Sequence, residues 1–142
     1  MRRPSALGLL LIVFAVGCGG GSPNAEIVVR AWSVELNAGD NEAAADLFGP
    51  NAIVIQGDAI VTLRTREEAI EWNASLPCSG QIVAIRSSGD TAVATFLLGD
   101  REESKCDGPG EKATAVFRVR SGKIVLWHQT TIAKVPGGGV TV

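Results

Sequence analysis

The sequence predicts an α+β domain, because helix-period segments dominate up to Pro77 and strand-period segments follow it. Three amphipathic runs and one short hairpin pattern precede that proline, and four alternating runs joined by Ser/Gly/Asp turns come after it. A third observation limits the domain. An apolar N-terminal run ends at Gly17-Cys18 and a glycine triplet, which sets residues 25–133 apart from what precedes them.

The first helix is expected over residues 24–38, with Ser22 as its cap and Pro23 at its first position. Ile27, Ala31, Val34 and Ala38 recur on one stripe, flanked by Val28, Val29, Trp32 and Leu36, so the buried face should be broad. Gly39 stops this helix. Asp40 then caps a short second helix through Ala43, Ala44, Leu47 and Phe48, closed by Gly49-Pro50. Residues 52–63 alternate as a hairpin about Gly57-Asp58. Thr65-Arg66-Glu67-Glu68 is a capping box and starts a third helix carrying Ala69, Ile70 and Trp72.

Strands are expected over residues 81–86, 91–98, 113–120 and 123–133. A two-residue Ser121-Gly122 turn pairs Arg120 with Lys123. Strict alternation then sets Val119 opposite Ile124, Phe117 opposite Leu126 and Ala115 opposite His128, all on one face. That set is the more apolar and is expected to look inward, leaving Val116, Val125 and Trp127 outside.

Met1-Arg2-Arg3, the apolar residues 6–16 and Gly17-Cys18 have the three-part layout of an export signal. The run is shorter than the roughly 20 apolar residues that a membrane-spanning helix needs. Ala15-Val16-Gly17-Cys18 resembles the bacterial lipoprotein signal motif, which implies cleavage after residue 17 and acylation of the Cys18 thiol. Residues 1–17 are thus expected to be signal and residues 18–24 a lipidated, glycine-rich tether on the extracytoplasmic face of a membrane. Residues 25–133 form the domain and residues 134–142 a loose tail.

Without the signal, 125 of the 142 residues remain, enough for one domain with its own core. Loss of Arg2 and Arg3 moves the net charge from −2 to −4, and no basic run remains to hold nucleic acid. Two cysteines, Cys78 and Cys106, are left for the domain. An even pair in an exported protein reads as a disulfide. The rival is a metal site, but two cysteines and the distant His128 lack ligand spacing. No metal or cofactor is expected.

Several segments in order carry a family resemblance: Val28-Val29-Arg30-Ala31-Trp32 through Leu36-Asn37-Ala38-Gly39-Asp40, then Leu47-Phe48, then Thr65-Arg66-Glu67-Glu68-Ala69, then Phe117-Arg118-Val119 ahead of Gly122-Lys123-Ile124. Together they resemble the nuclear transport factor 2-like, or SnoaL-like, superfamily over about residues 25–133. The resemblance implies three N-terminal helices packed in the concave face of a curved antiparallel sheet, a cone with a pocket in its mouth. It also implies a homodimer through the outer sheet face, here near Val116, Val125 and Trp127.

The family includes enzymes, and the resemblance assigns their positions one by one. The aspartate base of ketosteroid isomerases falls at Gln56, their oxyanion-hole tyrosine at Trp32 and their protonated aspartic acid at Ala115. One catalytic aspartate of limonene epoxide hydrolases falls in Trp127-His128-Gln129, again at an amide, while Asp100, Arg101 and Glu102 lie near the other pair. An amide cannot exchange a proton near neutral pH as a carboxylate can.

His128, the only histidine, falls on the predicted inward face. It reads either as a general base or ligand donor, or as a residue hydrogen-bonded to a neighbour. The expected ligand-lining set is Trp32, Gln56, Trp72, Ala115, Phe117, Leu126 and His128, with ordinary core as the competing reading for its apolar members. The expected function is a tethered, non-catalytic domain that binds a small, mainly apolar ligand or a protein partner. The alternative is a small-molecule hydrolase or isomerase in which His128 works with Asp100 or Glu102.

Overall fold

The computed structural model describes residues 23–133. The expected signal at residues 1–17, the expected acylation site Cys18 with most of its tether, and the expected tail at residues 134–142 lie outside the described residues.

Helix α1, Ala25–Asn37, starts one residue later than its sequence suggests. Asn24 rather than Ser22 caps it, its side chain accepting from the Ile27 amide at 2.9 Å. The buried face is also rotated. Ala25, Val28, Val29, Trp32, Ser33 and Leu36 face the core, whereas Ile27 and Val34 are 57% and 63% exposed. Trp32 decides this outcome, because burying its large indole carries Val28, Val29 and Leu36 inward at i−4, i−3 and i+4. Just before the helix, Pro23 packs on the far hairpin: a Cβ at Gly122 would stand 3.2 Å from Pro23 Cδ.

Helix α2, Asn41–Ala45, is capped by Asp40, which accepts from the Ala43 amide at 2.9 Å. It stops before Leu47 and Phe48. Phe48, Gly49 and Pro50 instead open strand β1, Phe48–Gln56. Pro50 sits within the register shift between Phe48 and Ile53, where the ladder loses little from its missing N–H. Strand β2, Ala59–Leu63, completes the expected hairpin, with Gln56 opposite Ala59.

Helix α3, Arg66–Ser75, begins at Thr65, whose hydroxyl accepts from the Glu68 amide at 3.1 Å. Glu68 reaches back to the amide of Arg64 at 2.5 Å, one residue ahead of the cap. Arg66 donates to Asp46 at 2.6 Å across the α2–α3 gap, and that hydrogen bond holds the Asp46 carboxyl below its usual pKa.

The remaining strands are β3, Cys78–Ser88; β4, Thr91–Asp100; β5, Lys112–Arg120; and β6, Lys123–Ala133. All six strands form one sheet in the order β2-β1-β6-β5-β4-β3. Four neighbouring pairs are antiparallel, but β1 and β6 run parallel, so the sheet is mixed rather than antiparallel throughout. A parallel pair needs a long crossover, and α3 with β3–β5 supplies it. Helix α3 follows the first hairpin, in the order that the sequence suggests. Helix α1 lies against β3, β4, β5 and β6.

The β5–β6 hairpin departs most from expectation. Ser121 and Gly122 both have positive φ, 50° and 72°, as a tight two-residue turn requires, and Val119 opposes Ile124 as predicted. The register then slips. Arg118 opposes Leu126, Phe117 opposes Trp127, Val116 opposes His128 and Ala115 opposes Gln129. Val125 is the extra residue of a β-bulge, and it turns Trp127 and Gln129 inward while Leu126 and His128 turn outward. Ile124 and Trp127 are 0% and 5% exposed although three residues apart, a spacing that unbroken alternation cannot bury on one face.

Trp127 completes an aromatic cluster in the core. Phe96 and Phe117 lie 6.0 and 5.4 Å from Trp32, Trp127 lies 6.5 Å from it, and Trp72 links Trp127 at 4.9 Å to Phe48 at 5.5 Å. Cys78 and Cys106 form a disulfide across 28 residues, a loop closure that contributes about 3–4 kcal/mol on the chain-entropy account.

Candidate functional site

A cavity of about 120 Å³ lies where the C-terminal half of α1 meets the sheet. Trp32, Ser33 and Leu36 form its helical wall, and Phe96, Leu98, Ala113, Ala115 and Trp127 its sheet wall. Leu76, Pro77 and the Cys78–Gly80 segment line the rim, joined by Gln56, Gln129 and Asp107.

Backbone chemistry fixes the helical wall. Gly80 carries its carbonyl to Ser33 Oγ and Asn37 Nδ2, both at 2.9 Å, and donates its own amide to Asn37 Oδ1 at 2.9 Å. The Asn37 amide thus pairs with both backbone groups of one residue, as a neighbouring strand would, on the outermost strand of the sheet. A side chain there would crowd the sheet wall, since a Cβ would stand 3.0 Å from Phe96.

The polar groups are few and mostly committed. The indole Nε1–H of Trp32 donates to Asn73 Oδ1 at 2.8 Å in a fully buried pair, and Asn73 Nδ2 donates in turn to the Ala69 carbonyl at 2.8 Å. The donor at the position corresponding to the isomerase tyrosine is therefore spent on the scaffold. Gln56 Nε2 donates to Gln129 Oε1 at 2.9 Å, the two glutamines being in register across the parallel β1–β6 pair. Trp127 Nε1 is buried with no hydrogen-bond partner among the described residues.

Of the expected lining set, Trp32, Gln56 and Ala115 meet at the cavity. Phe117 is fully buried behind Trp32, and Trp72 stands behind Trp127. Leu126 and His128 do not reach it: the bulge puts them on the opposite sheet face, in register with Arg118 and Val116. The alternative reading that joined His128 to Asp100 or Glu102 loses its geometry with that shift. Asp100 Oδ1 accepts from the Cys106 amide at 2.8 Å, and Glu102 is exposed.

Arg101 is structural. Its guanidinium donates to the carbonyls of Asn73 and Leu76 at 2.7 and 2.8 Å and to Asn41 Oδ1 at 2.5 Å, closing the end of α3. Burial pushes its pKa down from the ordinary arginine value. Asp107 Oδ1 lies 3.4 Å from Cys78 Sγ, a contact only, because a disulfide sulfur has no proton to give. Cys78, Cys106 and Asp107 bring their ligand-type atoms within 4.8 Å, but the oxidised cysteines offer no thiolate.

Sequence reasoning missed Ser33, Phe96, Asn73 and the inward turn of Trp127. Only Phe96 left a readable trace, as the sole aromatic on an alternating strand.

The profile of the SnoaL-like domain family matches residues 29–127. This chain belongs to the SnoaL-like family. No curated protein sequence matches it. Among solved structures, an NTF2-like protein of unknown function from Cytophaga hutchinsonii superposes with a TM-score of 0.63 at 12% identity, covering 78% of this chain and 91% of that one. A ketosteroid isomerase-like fold from Catenulispora acidiphila, in complex with trimethylamine, gives 0.60 at 17% identity, covering 77% and 87%. A protein from Sinorhizobium meliloti, provisionally assigned as a polyketide cyclase, gives 0.59 at 16% identity, covering 73% and 94%. At these identities the likeness concerns the fold, an α+β arrangement of three helices and a six-stranded, mostly antiparallel sheet.

The Trp32–Asn73 pair yields a direct expectation for this SnoaL-like domain. Asn73→Ala strands a buried indole N–H and should lower stability by about 1–3 kcal/mol in urea denaturation, with the fold kept by far-UV circular dichroism.

Proposed function

We propose that this SnoaL-like domain is a non-catalytic binding module, tethered to the extracytoplasmic face of a membrane and taking a small, mainly apolar ligand. One observation carries the reading: among the described residues, no wall of the cavity holds a group able to exchange protons near neutral pH, save Asp107 at the exposed rim. Gln56, Gln129 and Ala115 stand where general acid–base chemistry would need ionisable groups, and the Trp32 donor is already bound. Cavity volume favours a small guest. About 120 Å³ is of the order that admits one small ring and is below the pockets of roughly 300–1,000 Å³ that hold drug-sized molecules. The Catenulispora protein, with trimethylamine bound, is a fold relative that also holds a small molecule.

Native mass spectrometry of protein purified from its own envelope tests this reading. A small molecule should co-purify with the wild type and be lost from Ala115→Leu, which fills the cavity. Turnover of that molecule by the wild type would sink the non-catalytic assignment.

The tether rests on Ala15-Val16-Gly17-Cys18 and the apolar run before it. No helix among the described residues is long and apolar enough to cross a membrane. Cys18→Ala should remove the acyl mass from the protein and leave residues 1–17 attached, both read by intact mass of the membrane fraction.

A homodimer is part of the same proposal, recentred by the bulge. The outer sheet face carries Ile53 and Ile60, 40% and 70% exposed, beside Ile55, Val116 and Leu126 in register. Such a largely apolar patch, with His128 between Ile55 and Val116, favours association over solvent. Leu126→Lys should halve the mass seen by light scattering without changing thermal stability by more than a few degrees.

A further inference from the structure

We infer that the occupant of this cavity is a small neutral molecule bearing one hydrogen-bond acceptor, such as a ketone or ester carbonyl, and that the Trp127 indole N–H holds it. The inference rests on the binding reading above and adds the chemical class of ligand. Trp127 is 5% exposed, lines the cavity, and carries a buried Nε1–H without an acceptor among the described residues. Native interiors leave few such donors unpaired, because desolvating one without a partner is costly. Trp32 makes the contrast, since its equivalent group is satisfied at 2.8 Å.

An indole N–H only donates, so its partner must accept. Two residues along the same strand face, Gln129 pairs with Gln56, and each amide keeps a second polar atom beyond that bond. Charge narrows the class further. Among the described residues no cation lines the cavity to hold a carboxylate, and Asp107 at the rim repels one. A cation cannot accept from the indole. Apolar walls from Leu36, Phe96 and Ala115 take the remainder of a compact guest.

Cyclopentanone and methylenecyclopentane are matched probes: the same shape, one with an acceptor and one without. Titrations on ¹⁵N-labelled protein should show the ketone binding about tenfold or more tightly than the alkene. The Trp127 Hε1 resonance should move downfield with the ketone alone. In Trp127→Phe, which keeps an aromatic ring, though a smaller one, and removes the donor, the preference should fall to about unity. If that variant does not fold, the wild-type indole shift decides the matter. Equal binding of both probes with a still indole proton overturns the acceptor assignment and leaves the binding reading standing. Binding of neither overturns both. Tighter binding of trimethylammonium than of the ketone also overturns it, in favour of an aromatic cation site.

Discussion

The bulge at Val125 is the constraint on which the rest of this domain depends. It lets Ile124 and Trp127 both face the core, and so brings the third tryptophan into contact with Trp32 and Trp72. A one-residue slip reverses every side chain beyond it. The same event therefore sets Gln129 beside the cavity and sends His128 to the other side of the sheet. Burial of the larger aromatic surface outweighs burial of Leu126, and an imidazole is easier to accommodate on a half-exposed face than in an apolar core.

The chemistry of the cavity follows from that packing. The donor of Trp32 is bound to Asn73, and Gln56 donates to Gln129 across the parallel strand pair. These bonds rigidify the walls. Most polar side-chain atoms beside the cavity are thus engaged in the scaffold, whereas the Trp127 N–H is not.

Much of the fold was legible in the sequence because local rules and tertiary packing agree there. Thr65 and Asp40 cap their helices, Gly57 and Gly122 turn their hairpins, and Cys78 finds Cys106. Where several local choices are equally good, the sequence underdetermines the answer. The run Ile124-Val125-Leu126-Trp127 is apolar throughout, so nothing in it marks which residue is the bulge. Helix α1 has apolar residues on most sides, and only the partner surface selects Trp32 over Ile27 and Val34. The parallel β1–β6 pairing joins segments about seventy residues apart, beyond any periodic signal. The cavity itself mixes residues from six elements, which is why Gln56 and Ala115 were found by resemblance and Ser33 and Asn73 were not.

The contact between Pro23 and Gly122 has a consequence for how the domain would stand on a lipid surface. It brings the incoming chain to the hairpin bend, while Ala115 and Gln129 lie farther along those strands, roughly 23 Å away at about 3.3 Å per residue. An anchor at Cys18 would tie the domain to a bilayer beside this bend and not beside the cavity-lining part of the strands.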